Sequence, residues 1–256
     1  MKVVMDLSKT IEENANQYFE KAKKDKKKLE GLRKAYKNTI QKIEKLKIED
    51  VPEQPEQKKS KRKKEWYEKF RWFVSSDKVL VIGGRDATTN DIIIKKKSLP
   101  QEIVFHTDIR GSPFFVVKAE NPPQNTINEA YEACASFSRA WNLGVVATEV
   151  YYVKREQVKV EMGLPKGTFM IYGKRNYKTT EIKLAIGLYE DKVMCGPVDS
   201  VKANCEHVFM LKPGKEKKSD VAKKLRQYYA KECGVVIDIE DILSVLPPGD
   251  CDIEEL

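Results

Sequence analysis

The chain has 256 residues, of which 41% are apolar and 34% charged, with a net charge of +9. Enough apolar side chain is present for a sizeable core, and the charge lies well above the ~25% of an average domain. No apolar run approaches the ~18 residues of a bilayer span, and no signal-peptide core follows Met1, so a membrane protein or a secreted one is not expected. Residues 1–70 hold 21 Lys/Arg against 13 Asp/Glu, whereas residues 71–256 are nearly balanced at 27 against 26. The basic character belongs to the N-terminal arm and favours a polyanionic partner. Five widely spaced cysteines without a CxxC pair argue against a disulfide framework and a zinc site, and they suit a reducing cytoplasm. With only two histidines, no metal or other cofactor is expected.

The arm comes first. Ile11, Ala15, Tyr18, Ala22, Leu29, Leu32, Tyr36, Ile43 and Leu46 repeat at heptad spacing, with Asp25 and Thr39 at the two skipped seam positions. This predicts a coiled-coil helix over about 8–49, ended by the segment carrying Pro52 and Pro55. A short return helix is predicted through Lys58, Lys59, Lys61, Arg62, Lys63 and Lys64 into Trp66, Tyr67, Phe70, Trp72 and Phe73. It is too short to pair the whole first helix, so part of the seam requires another partner.

Beyond Ser75 the pattern becomes strands and turns. Strands are predicted at 78–82, 92–96, 103–106 and 114–118, with a turn-rich segment over Gly83–Asp91. Thr126 with Glu129 reads as a capping box opening a helix that runs to Trp141 and closes at Gly144. Further strands are expected at 145–153, 167–172, 182–188, 192–195 and 208–211. A second helix is bracketed by Ser219 and Gly234, and the tail turns at Pro247-Pro248-Gly249. Strands around two helices without regular βαβ alternation predict an α+β domain rather than a doubly wound sheet.

Three loops carry candidate chemistry. In Gly83–Asp91, paired glycines permit positive φ or close approach to a ligand, Arg85 offers a planar donor fork for phosphate, and Asp86 and Asn90 are placed to brace it. In His106–Pro113, Asp108 is expected to orient His106 while Arg110 faces a phosphate or base. A Ser112-based triad is unfavourable there, because the G-x-S-x-G elbow is missing and Pro113 removes a backbone donor. In Tyr172–Lys178, Lys174 and Arg175 interleave with aromatics, the chemistry of single-stranded nucleic-acid contact. Lys95 and Lys118 complete the expected RNA contacts. The Lys212–Ser219 stretch fails the phosphate-loop template, since Lys217 stands where the second Gly belongs.

Several strings match, in order, a family of known proteins. Trp66–Ser76, Leu80–Asp86 with Asn90-Asp91, and His106-Thr107-Asp108-Ile109-Arg110-Gly111 are among them, the last similar to His-Ala-Asp-Leu-His-Gly. Gly167-Thr168-Phe169-Met170-Ile171-Tyr172-Gly173-Lys174 and Asn14–Phe19 extend the match over nearly the whole chain. The sequence resembles the middle and NFACT-R regions of the NFACT family of ribosome-associated quality-control factors, and Leu246-Pro247-Pro248-Gly249 resembles the archaeal branch.

That resemblance implies a coiled-coil arm over residues 1–65 and an NFACT-R-like α+β RNA-binding domain over 66–256. The implied partners are the large ribosomal subunit, ribosomal RNA and peptidyl-tRNA, in the cytoplasm. Proteins of the family promote C-terminal tailing of stalled nascent chains. Their NFACT-N and helix-hairpin-helix regions do not precede this arm, so the expectation is a fragment or a split version. Tailing then falls to another chain, and RNA or ribosome binding remains. The seam's partner would be an NFACT-N-containing chain or a second copy. Thr107 replaces Ala and Arg110 replaces His, the latter adding a permanent cation. Two rivals stand beside this non-catalytic reading. One is a coiled-coil interaction module with incidental charge; the other is a metal-dependent RNA nuclease using Asp86, Asp91 and Asp108.

Overall fold

The computed structural model describes residues 5–48, with side chains through residue 40, and residues 64–255. The chain separates into two units, Met1–Arg62 and Lys63–Leu256.

Among the described residues, the first unit holds one helix, α1 (Ile11–Ile48). Thr10 opens it with a capping box: its hydroxyl accepts from the Glu13 amide at 3.2 Å, and the Glu13 carboxylate accepts from the Thr10 amide at 2.9 Å. Asn14, only 4% exposed, ties the preceding residues to the helix. Its side-chain NH2 donates to the Asp6, Lys9 and Thr10 carbonyls, and its oxygen accepts from the Asp6 amide at 2.8 Å. The seam residues Ile11, Leu29, Leu32 and Tyr36 are exposed along α1. The Pro52/Pro55 turn and the basic cluster at 58–63 lie outside the described residues.

The second unit begins with a correction. Trp66–Lys69 form a turn rather than a return helix, and β1 (Arg71–Val74) follows as a strand. Trp72 and Phe73 are adjacent yet both buried, because each faces packed structure on its own side of the sheet. A strand buried on both faces loses its alternation, and its apolar run then passes for one side of a helix.

β2 (Leu80–Gly83) pairs back on β1 and leads into α2 (Ala87–Lys96). The strand expected over 92–96 is therefore the last turns of a helix. Its three consecutive isoleucines are β-formers. Asp86, however, caps the helix in a reciprocal box with Thr89, and Ile93 and Ile94 bury against the core. β3 (Ile103–His106) and β4 (Phe115–Val117) come next, then α3 (Gln124–Ser136) and the short α4 (Ala140–Leu143), closed by a left-handed Gly144. The predicted helix over this region is broken at Phe137–Arg139. Its predicted capping box is absent too, since Pro123 occupies the N-cap position. Asp77, in the β1–β2 turn, supplies the missing acceptor for the Thr126 amide and hydroxyl, at 3.0 and 2.8 Å. Glu129 instead accepts from the Ser76 amide.

β5 (Ala147–Lys154) is followed by a 3-10 turn, Arg155–Gln157, and by β6 (Val158–Lys159), which pairs with β7 (Met170–Ile171). After β8 (Asn176–Glu181) come β9 (Leu184–Tyr189), β10 (Lys192–Gly196), α5 (Val198–Asn204) and β11 (Glu206–Pro213). The chain closes with α6 (Lys218–Glu232), α7 (Ile239–Val245) and β12 (Cys251–Glu255). One sheet has the order β1-β2-β4-β3-β5-β8, a second has β10-β9-β11-β12, and every pairing is antiparallel. An N-terminal helix followed by helices on antiparallel sheets is the α+β class expected from the sequence. α3 lies across the first sheet, whose Phe73, Phe105 and Phe115 are fully buried, as is Trp141 of α4.

Candidate nucleic-acid interface

Loops far apart in sequence wall one cleft of about 690 Å³. The β2–α2 junction contributes Arg85, Asp86 and Asn90, the β3–β4 loop His106, Arg110 and Ser112, and the segment before β7 Lys166 and Thr168. Arg71 from β1 and Arg139 from the α3–α4 link complete the wall. Its ionised groups are Arg71, Arg85, Arg110, Arg139 and Lys166 against Asp86 alone.

The glycines Gly83 and Gly84 serve packing rather than positive φ. A Cβ on Gly83 would meet the Phe115 ring, and one on Gly84 would meet the Asn90 amide. Asp86 and Asn90 do not brace the Arg85 guanidinium as the sequence reading expected. The Asp86 carboxylate accepts from the Thr89 amide at 2.8 Å, which holds its pKa below the usual carboxylate value. Buried Asn90 accepts from the Phe114 amide at 3.1 Å, fastening α2 to the β3–β4 loop. The Arg85 guanidinium donates to the Glu68 and Phe70 carbonyls, both at 2.9 Å. It thereby folds the turn before β1, and among the described residues its Nε is buried without a partner.

The β3–β4 loop is closed from within. Thr107 and Ser112 share a hydroxyl contact of 2.5 Å, and Ser112 donates to the Ile109 carbonyl at 2.7 Å. His106 stacks on Phe114 with centroids 3.9 Å apart, and its Nδ1 lies 3.0 Å from the Pro113 carbonyl. A carbonyl only accepts, so Nδ1 carries the proton. Burial keeps the imidazole pKa below its ordinary value, and the neutral ring therefore leaves Nε2 as an acceptor. Asp108 does not orient His106; it pairs with Arg175 at 3.2 Å and accepts from the Tyr177 hydroxyl at 3.3 Å. The Ser112 hydroxyl is likewise engaged away from His106.

The remaining predicted contacts lie off the cleft. Lys95 pairs with Asp91 at 2.7 Å along α2. Lys118 is held by both oxygens of Glu102, at 2.6 and 2.8 Å, and by the Lys97 carbonyl. Arg175 lies over the Tyr151 ring at 4.8 Å, beside exposed Tyr177, while Lys174 is exposed in the same loop. Asp86, Asp91 and Asp108 thus each have a different protein partner. Among the described residues, no group of three His, Cys, Asp or Glu is arranged to hold a metal.

The sequence reading missed Arg71, Arg139 and Lys166. Arg139 is the one cation between Gln124 and Gly144, which was the available signal. Lys166 directly precedes Gly167, whose φ of +77° lets its segment press against the Ala87 backbone. Gly167→Ala combines a strained φ with backbone overlap. Its expected cost is about 2 kcal/mol or more, read as a lower urea midpoint.

The sequence matches those of known proteins. Residues 69–173 match the family model described as the NFACT protein RNA binding domain. The Methanocaldococcus jannaschii protein named archaeal Rqc2 homolog aRqcH is 42% identical over 200 residues, covering 74% of this chain and 29% of that protein. The human ribosome quality control complex subunit NEMF is 36% identical over 64% of this chain and 16% of its own length. The Drosophila melanogaster homologue of that subunit is also 36% identical, over 68% of this chain and 18% of its own. The chain therefore matches under a third of the length of these relatives. Its α+β unit carries an RNA-binding domain of the NFACT type. Both findings, the family model and the relatives, are consistent with an NFACT family member, as the motifs in the sequence implied.

Proposed function

We propose that this chain is a non-catalytic module that binds RNA on the large ribosomal subunit within ribosome-associated quality control. The observation that carries it is the cleft, where five cations face one carboxylate and four of the family-matching segments meet. Such an excess of Arg and Lys neutralises phosphates, and His106 Nε2 offers an acceptor for a ribose hydroxyl or a base N–H. Arg175 and Tyr177 extend the contact surface outside the cleft, with Lys174 and Lys95 as flanking cations. Arg110 supplies a positional contact. Arg85 does so as well, although its hold on two carbonyls makes Arg85→Ala a folding variant as much as a binding one.

The binding reading is favoured over a nuclease by the prior commitments of Asp86, Asp91 and Asp108. The exposed seam of α1 fits a helical partner, either an NFACT-N-containing chain or a second copy, and peptidyl-tRNA is an RNA that such an assembly would meet. Co-sedimentation with isolated large ribosomal subunits across a salt series, with bulk RNA as competitor, tests the proposal. Retention that declines with salt and survives the competitor is expected. Loss to the competitor reduces the chain to a general RNA binder, and no retention at low salt removes ribosome binding from it.

A further inference from the structure

The floor of the cleft holds more positive charge than its own chain explains. Arg71 is only 9% exposed, donates to the Leu246 carbonyl at 3.1 Å and lies over the Phe137 ring at 4.4 Å. Lys218, at the start of α6, donates to that same carbonyl at 3.1 Å. Arg85 is near enough to depress the pKa values of both. Among the described residues, no carboxylate comes within ion-pair distance of any of the three. The nearer carboxylates are otherwise engaged: Asp86 caps α2, and Asp241 pairs with Lys64 at 2.6 Å. Burial and the neighbouring arginines pull Lys218 down to about 8.

Clustering like charges in a partly buried place disfavours the fold unless something outside the chain compensates it. The unpartnered Nε of Arg85 is a second sign of a missing acceptor. We propose that this floor is a seat for a phosphate monoester, presented by the end of an RNA strand. Arg71 and Arg85 would be its donors, and Lys218 would add charge from behind. The inference rests on the RNA-binding reading of the cleft and names what enters it. A monoester carries ~1.5–2 negative charges at neutral pH against one for an internal diester, so three uncompensated cations favour the terminal group. The shape agrees: a cleft of about 690 Å³ is of pocket size and suits a terminal nucleotide better than a strand passing through.

The test is equilibrium binding of one fluorescent single-stranded oligoribonucleotide in three forms: 5′-phosphorylated, 3′-phosphorylated, and hydroxyl at both ends. One phosphorylated form is expected to bind roughly tenfold tighter than the hydroxyl form. Lys218→Met keeps the volume of the side chain and removes a poorly solvated charge, so it is expected to raise the thermal midpoint while shrinking that preference. A purely structural Lys218 would move the midpoint and leave the preference intact, which overturns its part in the seat. Equal affinity for all three forms overturns the seat while leaving RNA binding in place, and no binding of any form removes both. Displacement of the oligomer by a nucleoside monophosphate at the oligomer's own concentration would overturn RNA as the source of the phosphate.

Discussion

Lys118→Met is expected to destabilise the α+β unit by about 3–5 kcal/mol, read from urea unfolding at neutral pH. Glu102 is 4% exposed, and both its oxygens receive Lys118, one of them also the Leu99 amide at 2.8 Å. Removing the ammonium strands a carboxylate that water cannot reach, and the Lys97 carbonyl loses its donor at 2.8 Å. Most of the loss is thus the cost of an orphaned charge rather than the net strength of the pair. Adding Glu102→Gln to Lys118→Met should recover a large part of the stability. The single variant's RNA affinity, measured under folding conditions, should match the parent's. A small effect on unfolding, or a large one on RNA, would return Lys118 to the binding surface where the sequence had placed it.

The second expected result concerns affinity alone. Arg139 and Lys166 are exposed at the cleft, and neither makes an ion pair among the described residues. Arg139→Ala with Lys166→Ala should leave the unfolding curve within ~0.5 kcal/mol of the parent. RNA affinity should fall roughly tenfold near 0.1 M salt, and the slope of log affinity against log salt should become shallower by about 1.4. The loss should be similar for every RNA sequence, because phosphate contacts carry no base information. An unchanged slope would mean that RNA does not enter the cleft. Lys202→Ala with Lys217→Ala, exposed cations outside the cleft wall, is the control for charge alone.

The contrast between Lys118 and Arg139 shows where sequence reasoning stops. Both are single cations beside apolar runs, and nothing local separates them. Lys118 faces Glu102 because β4 and the start of β3 are neighbours, whereas Arg139 reaches the cleft because the predicted long helix breaks after Ser136. Asp108 and His106 make the same point. Two residues apart, they invited a pairing, yet the strand turns them to different partners, Arg175 and the Pro113 carbonyl. Helix starts depended on reach as well. The Thr10–Glu13 box is local, and Asp86–Thr89 was locally visible though passed over for the isoleucines that follow. The cap of α3 comes from Asp77, 49 residues before Thr126.

The sequence by itself determined the long basic helix with its heptad seam, the α+β class, the strand at Ile103–His106 and the NFACT-type RNA-binding domain, since each rests on periodicity, composition or contiguous strings. It also singled out, as family-matching strings, four of the segments that wall the cleft. Tertiary structure alone decided that those segments meet, that Arg71, Arg139 and Lys166 join them, and that Asp86, Asn90 and Lys118 are bound up in holding the fold. The reason is physical: a hydrogen bond or an ion pair is set by distances of about 3 Å, and antiparallel pairing brings together residues whose separation along the chain carries no local signal.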